Sequence, residues 1–274
     1  MIESKITSNG ASTVEYLVQG QGPALVILPS LGRGAGDYDE IADLLEERGI
    51  RTVRPQPRGI GRSAGPMTGL TMVDLAQDVA AVIEAEGLAP ALVAGHAFGN
   101  FVARTLATVR PDLVTAISMV AGSAAKTLTG EFPYAPDVAE SVLASGDPKL
   151  SEQERLVHLQ RAFFAPGNDA SVWLTGWYPA TKAAQKIAQK ATPLDFYFAG
   201  GTAPIFEIQA RNDTVANFKY ASTMKTLFGE RITVAVVDNA GHALIPEQPV
   251  ETARLLGDWV FNWPPDSRRA VQAV

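Results

Sequence analysis

Short apolar, β-branched runs alternate along this chain with longer stretches that carry helical spacing. Residues 2–7 and 13–18 are strand-like and flank Asn9-Gly10, a strong two-residue hairpin signal. Residues 24–28 form a short buried-strand run, and residues 38–48 have helical spacing that stops at Gly49. Residues 51–54 read as a strand broken by Pro55 and Pro57. Thr71 suits the N-cap of a helix reaching about Gly87, with Leu75, Val79, Val82 and Ile83 on one stripe. A strand at 91–94, a helix at 98–109 and a strand at 114–120 follow.

This βαβα rhythm predicts an α/β fold, a doubly wound, mostly parallel sheet with helices on both faces and the opening hairpin at one edge. The rhythm lapses over residues 123–201, which hold helical pieces at 136–144, 151–164 and 181–190 and many of the aromatic residues. Strand character returns at 204–209, then a helix at 217–228, a strand at 231–237 and a closing helix at 249–262. The expected organisation is one core domain, residues 1–122 and 202–274, interrupted by a helical cap insertion, residues 123–201.

With 274 residues, 46% of them hydrophobic, the chain is long enough for such a core. The net charge of -6 comes from scattered residues without a run of like charge, so a nucleic-acid partner is not expected. The absence of cysteine excludes disulfides, thiolate metal sites and a cysteine nucleophile. The start MIESKITSNG lacks signal-peptide character, and no apolar run approaches the roughly 20 residues that cross a bilayer. A cytoplasmic protein without a membrane partner is expected; nothing in the sequence sets its oligomeric state.

The most informative stretch is ALVAGHAFGNFVARTLA, residues 91–107. Gly95-His96-Ala97-Phe98-Gly99 follows a strand and opens a helix, the context of the Gly-x-Ser-x-Gly nucleophile elbow. The flanking glycines fit a turn with no room for a Cβ on either side, and the helix N-terminus behind it favours negative charge. The central residue is alanine, which has no nucleophile.

Over nearly its whole length the sequence resembles the α/β-hydrolase superfamily in its capped form. LPSLGRGAGDY (residues 28–38) stands where members often carry a His-Gly loop, here replaced by Pro29-Ser30. PQPRGIGRS (55–63) matches the Arg-Gly-x-Gly-x-Ser loop, FEIQARNDTVA (206–216) places Asp213 just past a late strand, and VDNAGHALIPEQP (237–249) places His242 after the last strand. The resemblance implies an order of elbow, acid and histidine, with His242 as general base and Asp213 fixing its tautomer. It also implies an oxyanion hole from the backbone N–H groups of Leu31 and Phe98.

Ala97 leaves three readings open. A serine stood here and was replaced; or the dyad of His242 and Asp213 activates water or deprotonates substrate directly; or the fold binds a ligand without turnover. The first, and the water-activating form of the second, give hydrolysis of an ester, lactone or related acyl bond as the expected reaction. Proton abstraction, water addition, carbon-carbon cleavage and cofactor-free oxygen chemistry are the alternatives.

Among other candidates, His158 suits helix packing, and His96 holds the variable elbow position. Asp238 is the rival acid, while Ser30 and Ser123 lie near the expected site without elbow context. Arg33 and Arg58 suit either a substrate carboxylate or local ion pairs. Trp173, Trp177 and Tyr178 are too close together for one helical stripe, so some of them are expected to face the pocket, with Ser30, and to favour an apolar or aromatic small molecule. No residues show metal-ligand spacing, and Gly32-Arg33-Gly34-Ala35-Gly36 lacks the spacing of a dinucleotide loop, so neither metal nor cofactor is expected.

Overall fold

The computed structural model describes residues 1–131 and 133–263; the end of the expected core, residues 264–274, lies outside them. The hairpin forms from β1 (Glu3–Asn9) and β2 (Ser12–Gln19), paired antiparallel with Asn9 opposite Ser12. Its two-residue loop is therefore Gly10-Ala11 rather than Asn9-Gly10, and Gly10 takes the positive φ of 56° that the turn requires.

The remaining elements follow as β3 (Ala24–Leu28), α1 (Asp39–Glu47), β4 (Arg51–Pro55), α2 (Met72–Ala85), β5 (Ala91–His96), α3 (Gly99–Val109) and β6 (Val114–Val120). Next come α4 (Pro136–Ala144), α5 (Glu152–Ala162), α6 (Pro179–Ala191) and α7 (Leu194–Tyr197). The chain then returns through β7 (Ile205–Ala210), α8 (Thr223–Phe228), β8 (Ile232–Val237), α9 (Leu244–Glu247) and α10 (Pro249–Asn262). Thr71 caps α2 through a reciprocal box with Asp74, an arrangement worth about 1 kcal/mol. The helix expected over 217–228 is split: Phe218–Tyr220 is a 3-10 turn capped by Asn217, and α8 starts only at Thr223.

The strands form one eight-stranded sheet in the order β1-β2-β4-β3-β5-β6-β7-β8. The pairs from β4 through β8 are parallel, and β1 and β2 are joined antiparallel at one edge. Alternation along β5 divides the core. Ala91 and Val93 pack in a cluster with α2 and α3, whereas Leu92 and Ala94 pack in a second cluster with α1 and α10. Helices thus cover both faces of the sheet, and β5 is buried along its whole length. The α4–α7 segment joins β6 to β7, and part of it has its own apolar cluster of Val138, Val142, Leu159, Phe163, Phe164 and Trp173. Among the described residues no helix is long and apolar enough to cross a membrane.

Candidate active site

The turn between β5 and α3 places Ala97 at φ 49°, a left-handed conformation that costs a non-glycine residue roughly 1–2 kcal/mol. Two hydrogen bonds hold it there: Ala97 N–H donates to Val120 O at 2.9 Å, and Asn100 N–H donates to Ala97 O at 3.1 Å. The Asn100 side-chain amide also donates to Ala97 O. The flanking glycines are sterically required. A Cβ on Gly95 would lie 2.4 Å from Asn100 N and from Gly99 C, and one on Gly99 would lie 2.4 Å from Leu28 O.

Ala97 opens onto a cavity of about 520 Å³, which Ser30, Leu31, Phe98, Trp177 and His242 also line. His242 and Asp213 are both buried. The His242 Nδ1–Asp213 Oδ2 distance is 2.8 Å, so the imidazole donates through Nδ1–H and Nε2 is left for the cavity. The Asp213 Oδ1 accepts from Val215 N–H and Ala216 N–H, each at 2.8 Å. This fixes the carboxylate by the first residues of the loop that follows it. The backbone N–H groups of Leu31 and Phe98 donate no hydrogen bond among the described residues. Two free donors at the edge of a cavity suit an oxygen that gains negative charge.

His96 does not line the cavity; it joins two loops beneath it. Ser30 N–H donates to the Tyr38 hydroxyl at 2.8 Å, and that hydroxyl lies 2.8 Å from His96 Nδ1. The His96 Nε2 lies 2.9 Å from the carbonyl oxygen of His242. A carbonyl only accepts, so Nε2 carries the proton, Nδ1 accepts from Tyr38, and the ring is neutral. Burial chiefly, with the nearby His242 charge, pushes its pKa down to about 3 from 6.5. One neutral ring therefore ties the Ser30–Leu31 loop to the His242 loop. Because its folded pKa is depressed, the stability from a neutral His96 is fully present above pH 6.5 and is lost as pH falls towards 3. The slope of unfolding free energy between pH 5 and 6.5 should be smaller in His96→Gln than in the parent by roughly 1 kcal/mol per pH unit, measured by urea denaturation. Equal slopes would refute the assignment.

The histidine loop is also tied to the α4–α7 segment. Ala243 N–H donates to Phe163 O at 2.7 Å, and a Cβ on Gly241 would meet that same oxygen at 2.6 Å. Glu247 accepts from Gly241 N–H (2.7 Å), Ala165 N–H (2.6 Å) and the Asn168 side chain (2.8 Å). Gln185 of α6 accepts from Gly32 N–H at 2.7 Å, which steadies the loop next to Leu31. Sequence reasoning singled out none of Tyr38, Gln185, Gly241 and Glu247. The only local signal was Gly241 and Glu247 bracketing His242; the other two act across the fold.

Two of the expected pocket aromatics lie elsewhere. Trp173 is buried and packs edge-to-face with Phe164 and Trp177 and at a tilt against Phe163, with the Arg33 guanidinium 4.8 Å from its ring centre. Tyr178 is exposed at the start of α6. Arg33 is paired with Asp37 and donates to Thr175 O, and Arg58 is paired with Asp78, so neither is free for a substrate. Asp238 is exposed and paired with Arg211, which removes the rival acid. Ser123 lines the cavity, with its hydroxyl accepting from Ala125 N–H, and His158 contacts Ser141 between α5 and α4. No group of three or more His, Asp or Glu side chains among the described residues could hold a metal ion.

Residues 25–255 match the alpha/beta hydrolase family. A protein of Azorhizobium caulinodans named as a carbamate hydrolase, RutD, is 30% identical over 157 residues, covering 57% of this chain and 56% of that protein. The match thus spans little more than half of that relative's length. The 2-(acetamidomethylene)succinate hydrolase of Mesorhizobium japonicum is 28% identical over 108 residues, 39% of this chain and 38% of its own. An esterase of Exiguobacterium antarcticum superposes with a TM-score of 0.78 at 19% identity, covering 94% of this chain and 98% of that one; at that identity the likeness is one of fold.

Proposed function

We propose, from the premise that the chain belongs to the alpha/beta hydrolase family of enzymes, that it hydrolyses an ester, lactone or related acyl bond of a small apolar or aromatic substrate. The observation that carries this reading is the meeting, at one cavity, of the His242–Asp213 pair and the two unpartnered N–H groups of Leu31 and Phe98. With alanine at position 97, water is the nucleophile. His242 Nε2 takes a proton from water as its oxygen attacks the acyl carbon, and the carbonyl oxygen collects charge against Leu31 and Phe98 N–H. Collapse expels the alcohol or amine, which recovers the proton from His242, and Asp213 holds Nδ1–H throughout. Residues 123–201 act as the cap: Val142, Phe163 and Trp177 from this segment line the cavity and limit water at the reacting carbon.

Ala97 itself favours a second reading. Without a nucleophile, the same base and N–H pair suit removal of a substrate proton and stabilisation of the resulting enolate, as in a lyase, hydratase, carbon-carbon hydrolase or cofactor-free oxygenase. Turnover of short and aromatic esters and lactones by the chain and by His242→Ala, followed by chromatography, tests the hydrolytic reading. Loss of at least about 100-fold in His242→Ala is expected, the usual range for a general base. Ester turnover that ignores His242 would refute the mechanism, and product without net hydrolysis would favour the second reading. A chain that binds these compounds but converts none is a binding protein.

A further inference from the structure

The cavity carries charge that the proposed chemistry leaves unused. The α6 residues Lys182, Lys186 and Gln189, at i, i+4 and i+7, all line it. Thr181, Ala184, Gln185 and Ala188 of the same helix are buried, with Thr181 bonded to Arg58 O and Gln185 to Gly32 N–H. The helix is thereby held against the body of the protein with its lysine stripe turned to the cavity. Two further charged residues in the lining are already matched: Lys126 is paired with Asp195, and Glu131 is paired with Lys219 and bonded to Tyr220.

Lys182 and Lys186 have no ion pair among the described residues. Lys182 Nζ donates to the carbonyls of Val142 and Leu143, at 2.9 and 3.1 Å, and lies 5.1 Å from the centre of the Trp177 ring, so that no full negative charge among the described residues touches it. The Lys186 ammonium makes no hydrogen bond among the described residues. Both ammonium groups are partly buried and lose solvation; burial and then the neighbouring Lys186 charge bring the Lys182 pKa down to about 8 against the smaller opposing pull of Asp147, and burial lowers that of Lys186. Two close, half-desolvated cations on a cavity wall are stabilised by an anion seated between them.

We propose that Lys186 and Lys182 form a carboxylate subsite, so that the substrate is an acid whose apolar body reaches from this seat to the elbow. The remainder of the cavity suits that body, being walled by Leu31, Phe98, Phe101, Val142, Phe163 and Trp177. The inference rests on the reading of this cavity as the catalytic pocket, but its test does not require turnover.

The probes are 4-phenylbutanoate and its neutral amide, titrated by calorimetry at pH 7 against the parent and Lys186→Met. Lys186 is chosen because Lys182 also serves the end of α4. The parent should bind the anion about 10-fold more tightly than the amide, and Lys186→Met should remove most of that preference while leaving amide affinity unchanged. Equal affinities in the parent, equal losses for both probes in the variant, or no anion binding at millimolar concentration would each overturn the subsite. If anion preference is present and no ester is hydrolysed, the subsite stands and the hydrolytic reading falls; ester turnover without the preference gives the reverse.

Discussion

Ala97→Ser should raise hydrolysis of aryl esters by several orders of magnitude if the proposed hydrolytic reading holds, because His242, paired with Asp213, lines the cavity onto which position 97 opens, as do Leu31 and Phe98. Removal of such a serine costs about 10⁶ in turnover, and restoration should return a large part of that factor. The Cβ that would carry the hydroxyl is held at φ 49° by Val120 O and Asn100 N–H, so the substitution needs no backbone change. His242 lines the same cavity with Nε2 available, and Phe98 N–H follows position 97 directly. The serine oxygen would attack the acyl carbon as His242 takes its proton; the leaving group would depart with that proton, and water would release the acid from the serine ester. The expected signature is a burst of alcohol release followed by a slower steady state, together with a mass adduct on residue 97 after treatment with a fluorophosphonate. Ala97→Ser combined with His242→Ala should lose both. If serine adds no rate while the alanine chain turns over a substrate in a His242-dependent way, the site is built for chemistry without a nucleophile.

How legible the site was depended on how locally each part is encoded. The elbow was readable because its constraint is local: Gly95 and Gly99 flank one turn, and their missing Cβ atoms are what that turn requires. Asp213 and His242 were readable only through their place after β7 and β8, since Arg-Asn-Asp-Thr by itself equally suits a plain turn. The strand at 114–120 and the helices at 136–144 and 249–262 fall where the sequence predicts, because the strand is a short run buried at every position and each helix opens on a proline. Trp173 and Tyr178 were misplaced for a physical reason. They lie around a 3-10 turn and a glycine at φ 77°, Gly176, where no regular period says which way a side chain points. Gln185 and Gly32 are 153 residues apart, and Tyr38 reaches His96 across 58, so these contacts exist only once the sheet has brought the loops together. Lys182 and Lys186 look like an ordinary solvated helix face until α6 is docked with that face to the cavity.

That dependence on the assembled sheet makes Gly99→Ala a severely damaging single-methyl change at the site. In an exposed helix the substitution stabilises by about 1 kcal/mol. Here the new methyl would sit 2.4 Å from Leu28 O, 2.9 Å from Leu28 C and 2.9 Å from Pro29 O, all backbone atoms with no rotamer to yield. Leu28 is held opposite Gly95 in the parallel pairing of β3 with β5, so either α3 must lift from the sheet or the β3 end must give way. Overpacking of this kind costs about 3 kcal/mol. Moving the end of β3 would also displace Ser30 and Leu31, and with them the Tyr38–His96 link and one of the two free N–H donors. Urea denaturation should show a loss of that size, and the hydrolysis gained by Ala97→Ser should disappear in the double variant even below its unfolding transition. Gly36→Ala is the control: its nearest neighbour atom to the new methyl is Asp39 Oδ2 at 4.0 Å, and its midpoint should barely move. An unchanged midpoint for Gly99→Ala would mean that α3 can shift on the sheet without strain, and the close approach of the elbow and the 28–31 loop would then not be what positions the site.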